Sequence, residues 1–225
     1  KANIIITTSP KLLEQSIPLK YFKSKTKVLC LPADLDCASE FANSNYSDRI
    51  YDLIYLGRIE SYKNIDLALS SFIKSNANKM LVVGEGNDLS LVQKYTRIAF
   101  SCGKTIEHRN WVGERDKFKY LSQAKAFILP STHFSEAYGI VQAEALSVGT
   151  PVISCDIDRS GVSWVNQNTK TGITFKSYEK CLSSHINTCL NPTLWLEFSE
   201  NSLRRSLSFS RSKFFATFLK IINEK

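Results

Sequence analysis

Short apolar runs alternate along this chain with longer stretches of helical spacing. Apolar residues concentrate at 3–7, 28–31, 50–56, 80–83, 106–111, 126–129, 151–155 and 172–175. Runs of that length, bounded by Gly, Pro or polar residues, predict buried strands. Between them the period changes. Ile65, Leu67, Ala68, Leu69, Phe72 and Ile73 mark one face of a helix over 64–74. A second helix is expected over 88–102, with Asp88 as its cap and Gly103 as its stop. Shorter helices fit 10–16 and 115–123, and an apolar one fits 139–148, closed by Gly149. The Lys-rich stretch 20–27 reads as a polar connection. Residues 178–225 read as helices, one of them opened by Pro192.

Strand–helix alternation of this kind predicts an α/β fold: a Rossmann-like parallel sheet with helices on both faces, followed by a helical C-terminal tail. Ligands of such sheets bind beyond the carboxyl ends of the strands. Those ends carry Gly57-Arg58, Gly84-Glu85-Gly86, Trp111-Val112-Gly113 and residues 131–139. Four loops therefore converge on one rim.

Composition narrows the class. With 225 residues, 43% hydrophobic and 22% charged, the chain is not a disordered one. No apolar run approaches the roughly 18–20 residues that span a bilayer. No secretory signal pattern opens it, and the missing initiator Met reads as an excised fragment. The formal charge of +8 first suggests nucleic acid. Its distribution argues against that partner. Residues 11–27 hold five Lys and residues 201–225 hold six Lys or Arg, whereas 28–200 carry 17 bases against 19 acids. A nucleic-acid domain more often has a basic face across its body. The six cysteines form no CxxC pair, so reduced thiols in a cytoplasmic protein are expected, without disulfides.

The densest chemistry lies between Pro130 and Ala145. Glu136 precedes the predicted apolar helix and Glu144 sits about two turns further on. Gly139 frees the backbone at the helix start, where unpaired N–H groups attract anions. The residues alone leave two readings. The carboxylates face one elongated ligand, or Glu136 caps the helix while Glu144 is solvated. Arg58 and Lys63 beside a strand end suit a pyrophosphate, or are ordinary surface cations. Trp111 is a core residue or a stacking platform.

Several segments taken in order settle on one resemblance. They are Ile4-Ile5-Ile6-Thr7-Thr8-Ser9, residues 28–36, the Tyr55-Leu56-Gly57-Arg58 stretch with Lys63 and Asn64, Leu81-Val82-Val83-Gly84-Glu85-Gly86, and residues 130–145. Over roughly 1–175 the chain resembles the retaining GT-B glycosyltransferases of family 4, whose donor domain carries Glu, seven residues, Glu. The resemblance implies three parts: 1–26 as a remnant and linker from an acceptor domain, 27–200 as the nucleotide-sugar donor domain, and 201–225 as a basic amphipathic helix. It implies that Arg58 and Lys63 hold the donor diphosphate and that Glu136 lies by the donor sugar. Backbone amides of Ala137, Tyr138, Gly139 and Ile140 would contact that sugar. Glu144 would accept from the ribose hydroxyls, and Gly57, Trp111 and Val112 would flank the nucleotide.

The same resemblance implies retaining transfer from a nucleotide sugar without a metal or other cofactor. A UDP-sugar such as UDP-GalNAc is the first expectation and a GDP-sugar the second. The acceptor would be undecaprenyl-diphosphate-linked or a saccharide, in bacterial surface polysaccharide (O-antigen) synthesis. The place would be the cytoplasm, with peripheral contact to the anionic inner face of the membrane. The fragment alone is expected to be inactive. The sequence departs from the family at Gly161-Val162-Ser163-Trp164-Val165, where Gly-Ile-Pro-Glu-Val is common. None of His108, His133 and His185 matches the family's histidine, and His133 is expected to be structural or solvated.

Rival readings carry other signals. Asp34-Leu35-Asp36 and Asp156-Ile157-Asp158 have the Asp-x-Asp form of the GT-A metal site, the second better placed after a strand. Gly84-Glu85-Gly86 follows a strand like a dinucleotide fingerprint, but lacks the third Gly. A non-catalytic nucleotide- or partner-binding module is the remaining alternative. Residues 203–222 mix Arg and Lys with Leu, Phe and Ile, which suits a membrane-surface helix or one packed on the body.

Overall fold

Two parallel sheets organise the chain in the computed structural model, which describes residues 2–42 and 45–223. The smaller sheet pairs β1 (Ile5–Thr7) with β2 (Thr26–Val28), in the register Ile5↔Thr26. Two short helices lie between them, α1 (Pro10–Gln15) and α2 (Ile17–Lys20). Ser9 caps α1 by accepting from the Leu12 amide, and Pro10 fits the first helical position. The expected strand over 28–31 thus starts and ends earlier. Register with β1 fixes its start, and Leu29 donates one last bond to Thr7 O before Pro32 removes a donor.

After α3 (Leu35–Ser39) the main unit alternates strictly. It runs β3 (Tyr51–Leu56), α4 (Ile65–Lys74), β4 (Lys79–Val83), α5 (Leu89–Ser101), β5 (Thr105–Arg109), α6 (Glu114–Ser122), β6 (Ala124–Leu129), α7 (Ile140–Ser147), β7 (Val152–Cys155), α8 (Val162–Val165) and β8 (Gly172–Phe175). Helices α9 (Ser183–Cys189), α10 (Pro192–Ser206) and α11 (Arg211–Asn223) follow. The six strands β3 to β8 are all parallel, in the order β5-β4-β3-β6-β7-β8. Apart from the edge strand β5, where only Ile106 is buried, their residues are mostly buried on both faces, as continuous apolar runs require. The α/β reading of the sequence therefore matches the structure.

The strand order reverses between β3 and β6, which are hydrogen-bonded neighbours. Connections leave that line in opposite directions and open a crevice beyond the carboxyl ends. Loops 57–64 and 130–139 flank this crevice.

Glycines let two of its loops touch. Gly84 and Gly86 have φ of +145° and +156°, and a Cβ on them would stand 1.9 Å from Gly57 O and 2.2 Å from Ile59 O. The loops after β3 and β4 thus meet backbone to backbone, with Ile59 N donating to Glu85 O and Asp88 N to Ile59 O. This packing accounts for the two glycines that resembled a dinucleotide fingerprint.

Two further expectations change. The 106–111 run leaves the sheet after Arg109, so Trp111 is a loop residue. The segment expected as one helix over 201–225 is not one helix over its described part, 201–223. Residues 201–206 complete α10, a 3-10 turn over Leu207–Phe209 sinks Phe209 into the core, and Ser210 starts α11 by accepting from Lys213 N. Lys1, Glu224 and Lys225 lie outside the described residues. No helix among those described is long and apolar enough to cross a membrane. All six cysteines are free.

Candidate functional site

The crevice holds two neighbouring cavities that share Arg58. The first has a volume of about 740 Å3 and is lined by Arg58, Ser61, Tyr62, Asn64, His133 and neighbours of His133. The second, of about 530 Å3, runs from Gly57 and Arg58 across Gly84, Glu85 and Gly86 to Trp111, Val112, Glu114 and Lys117. Arg58 is exposed at their junction, and its guanidinium donates to the Tyr62 hydroxyl at 2.6 Å. Tyr55, at the end of β3, donates to Arg58 O and so fixes the backbone beneath it.

Lys63 arises from a 3-10 turn over Ser61–Lys63. Asn64 follows in the left-handed region at φ +53°, which lets α4 start at once in a new direction. The Lys63 ammonium reaches across the switch point and donates to Glu136 Oε2 at 2.5 Å. Glu136 is buried, and the Ser131 hydroxyl donates to the same oxygen at 3.2 Å. Its backbone is pinned as well, by Ser160 Oγ on its carbonyl and by its own N–H on His133 O. Glu136 is therefore no helix cap. It is a fixed carboxylate neutralised by a lysine from the opposite half of the sheet.

Glu144 lies inside α7, a helix buried against α10, α3 and α6. It is 8% exposed, so the solvated reading fails. Lys117 of α6 donates to its Oε1 at 2.7 Å and to both oxygens of Glu114 at 2.8 and 3.0 Å. Burial pushes the Glu144 carboxyl up, against the pull of the Lys117 ammonium. Burial also opposes the charge of Lys117, yet Glu144 and Glu114 outweigh it and hold that ammonium above its ordinary value. Nothing in the sequence pattern pointed to Lys117. Its i,i+3 relation to Glu114 was visible, but its partner in α7 lies 27 residues away.

The segment between the two glutamates is backbone scaffolding. Gly139 has φ +67°, and a Cβ there would crowd Leu129 and Gln142. Ala137 O accepts from Gly161 N at 2.7 Å. Tyr138 turns its ring inward, with its hydroxyl 3.4 Å from Leu31 O. There it meets Trp164 and Phe209, ring centroids 6.4 Å away in each case. Arg205 covers Trp164 at 4.5 Å and donates to its carbonyl. Trp164, which stands where the family's acidic residue was expected, thus anchors the loop through aromatic packing.

Of the residues singled out from the sequence, Gly57, Arg58, Trp111 and Val112 line one cavity. Lys63 and Glu136 pair beside the other, and Glu144 stands behind Lys117. Ala137, Tyr138, Gly139 and Ile140 line neither cavity. Trp111 is 80% exposed, which removes its core reading. His133 is exposed at the first cavity and bonds Ser135, whereas His108 bonds Gly84 O and His185 bonds Glu179.

The Asp-x-Asp triplets have other partners. Asp156 accepts from Lys11 at 2.5 Å and Lys176 at 2.8 Å, which hold its carboxyl far below the usual range. Asp34 caps α3 and pairs with Arg211. Among the described residues no three His, Cys, Asp or Glu gather as a metal cluster would.

Comparison with known proteins places this geometry. A D-rhamnosyltransferase, WbpZ of Pseudomonas aeruginosa, is 25% identical over 174 residues, covering 75% of this chain and 45% of the relative. The O-antigen chain mannosyltransferase C of Escherichia coli is 22% identical over 207 residues, covering 89% and 55%. The chain spans about half the length of these curated relatives. Anabaena HepE, crystallised with UDP, superposes with a TM-score of 0.82 at 16% identity, over 100% of this chain and 64% of that one. The lipopolysaccharide outer core galactosyltransferase WaaB gives 0.80 at 16% identity, over 98% and 62%. These likenesses match the parallel, helix-flanked sheet to GT-B glycosyltransferase structures. Residues 39–202 match the family described as glycosyl transferases group 1, and the chain belongs to that family.

Proposed function

We propose that this chain is the donor-binding lobe of a retaining, family-4 glycosyltransferase with the GT-B fold. One observation carries the reading. Arg58 stands at the junction of two cavities at the switch point, with the Lys63–Glu136 pair beside one and Lys117–Glu144 beside the other. A nucleoside diphosphate sugar has the matching order: base and ribose at one end, two phosphates between, sugar at the other. Trp111 and Val112 flank the base, Glu144 takes the ribose, and Arg58 and Lys63 take the diphosphate. Glu136 stands on the sugar side.

Catalysis on this reading is electrostatic. As the bond from the anomeric carbon to the diphosphate breaks, negative charge grows on the leaving oxygen. Arg58 and Lys63 stabilise it from fixed positions, without a required metal. Lys63 already touches Glu136, so the ammonium is shared between the sugar-side carboxylate and the leaving group. The donor is a UDP-sugar first and a GDP-sugar second. Residues 1–26 belong with the acceptor lobe, 27–200 with the donor lobe, and 201–225 return toward the acceptor lobe. The acceptor is a lipid-linked or saccharide chain of bacterial surface polysaccharide, met at the inner membrane face, in keeping with the O-antigen and lipopolysaccharide names among the relatives.

A nucleotide-sugar panel on the full-length enzyme, with the anomeric product identified, tests this. Arg58→Ala should lower affinity for the active donor about tenfold or more, because it removes a charge-assisted contact. Unchanged donor kinetics in that variant overturn the assignment.

A further inference from the structure

Lys11 lies in α1, within the segment assigned above to the acceptor lobe, yet its ammonium bonds the main unit. The Nζ donates to Asp156 Oδ1 at 2.5 Å, to Ile157 O at 3.0 Å and to Ser163 Oγ at 2.6 Å. All three of its donors are thus used, and the side chain is only 18% exposed. The acceptors bracket the loop 156–161, between β7 and α8. Two more residues beside Lys11 touch the same loop. Gln15 Oε1 accepts from Arg159 N at 2.7 Å, where Arg159 holds a left-handed φ of +56°. Ser9 packs so closely on Gly161 that a Cβ there would stand 2.8 Å from Ser9 Oγ. The loop is therefore held at its start, its middle and its end.

The other side of this loop carries the Glu136 segment. Ser160 Oγ donates to Glu136 O at 2.5 Å, and Gly161 N donates to Ala137 O at 2.7 Å. Ser160 is buried and also accepts from Val162 N, which fixes the direction of its hydroxyl. The Arg159 guanidinium lies 5.7 Å from the Phe134 ring. Two consecutive carbonyls of the carboxylate loop thus hang on a loop that α1 secures.

We infer that Lys11 is a positioning residue: it fixes the loop 156–161, and through that loop the backbone from which Glu136 reaches the sugar side. This rests on the donor reading, because the role of Glu136 comes from it. Lys11 acts at a distance, since Lys11, Asp156, Ile157 and Ser163 line neither cavity. Trp111 and Val112, assigned to the base, line the second cavity and stand outside this chain of contacts. Loss of Lys11 should therefore show in turnover and spare nucleotide affinity.

The test uses the full-length protein. Turnover of the nucleotide-sugar panel is read as release of UDP or GDP, and calorimetry with UDP and GDP gives the affinity. Lys11→Met should lower kcat about tenfold, short of the roughly 100-fold that an ångström of misplacement costs. Affinity for UDP or GDP should stay within about twofold of wild type. Asp156 keeps Lys176 at 2.8 Å, so the variant leaves no carboxylate unpaired. Lys11→Arg should restore most of the turnover, because a guanidinium can serve the same acceptors. The double variant Gln15→Ala with Ser163→Ala strips two bonds from the loop and no charge, and it is measured beside Lys11→Met in case that protein does not fold. It should show the same split between turnover and affinity. A folded Lys11→Met protein, or a folded Gln15→Ala/Ser163→Ala protein, overturns the inference if its kcat is that of wild type or if kcat and nucleotide affinity fall together. Wild type that binds neither UDP nor GDP instead overturns the donor reading beneath it.

Discussion

At the His133 end, the crevice is a cavity of about 740 Å3 lined by polar loop residues; at the Trp111 end, a cavity of about 530 Å3 is backed by the strand termini Leu56 and Val83. Each end is served by a lysine–glutamate pair between different elements. The Lys63–Glu136 pair joins two loops across the switch point, with no third charged partner on either group among the described residues. The Lys117–Glu144 pair joins two helices and is tied further to Glu114. The loop pair leaves its lysine on a 3-10 turn, so the ammonium can turn without moving a packed helix. The helix pair cannot, because moving it means moving packed helices. On the proposed reading, a site that releases a charged leaving group and grips a nucleoside has reason to be built this way.

Removing Lys63 tests the contrast most severely. Lys63→Ala leaves Glu136 buried without its counter-charge, and breaking such a pair destabilises by about 3 kcal/mol. Turnover of the full-length enzyme should fall about 100-fold or more, as for loss of a preorganised electrostatic donor. Affinity for the bare nucleoside should stay as in wild type. Calorimetry with nucleoside and nucleoside diphosphate, beside steady-state kinetics, separates these effects. Equal losses for both ligands would erase the distinction between the ends.

Trp111→Ala sharpens the contrast from the other side. The side chain is 80% exposed, so thermal stability should move by less than about 0.5 kcal/mol. If the indole stacks on the base, nucleoside and nucleoside diphosphate should weaken alike, by about tenfold. A loss confined to the diphosphate would put the base elsewhere.

The smallest effect is expected from a charge cluster at neither end. Lys11 and Lys176 hold the Asp156 carboxyl well below its ordinary value of 3.8. A depressed acid contributes stability above its unfolded pKa and loses it as pH falls towards the folded one. Asp156→Asn should therefore unfold slightly earlier than wild type at pH 7, with the gap closing below about pH 4. Nucleotide affinity should not change. Urea unfolding at several pH values measures this, and a gap that widens in acid would contradict it.

Periodicity made the main sheet legible, because strands such as β6 and β8 are runs of apolar residues fixed on both faces. It could not reveal α3, a helix of five residues whose existence depends on the Asp34 cap. The same Asp34 looked like half of a metal triplet, since sequence spacing does not show that Arg211 lies across from it. Within the site, Arg58, Lys63, Glu136 and Glu144 stood out because each falls in a recognisable local pattern. Burial of Glu144 was implicit in its apolar neighbours, Ala143 and Ala145. Lys117 and the packing of Trp164 were hidden. Their meaning depends on partners in other elements, and local spacing carries no record of those.

Measured along the chain, the site runs past the family match. That match stops at residue 202, and a chain cut there would keep every strand of the main sheet. It would lack Arg205 and Phe209, which close the aromatic nest around Tyr138 and Trp164. Tyr138 lies two residues from Glu136, so the carboxylate loop would lose the mooring that keeps it taut. The stretch matched by the family and the stretch needed to hold the loop are different lengths, and a useful truncation has to respect the longer one.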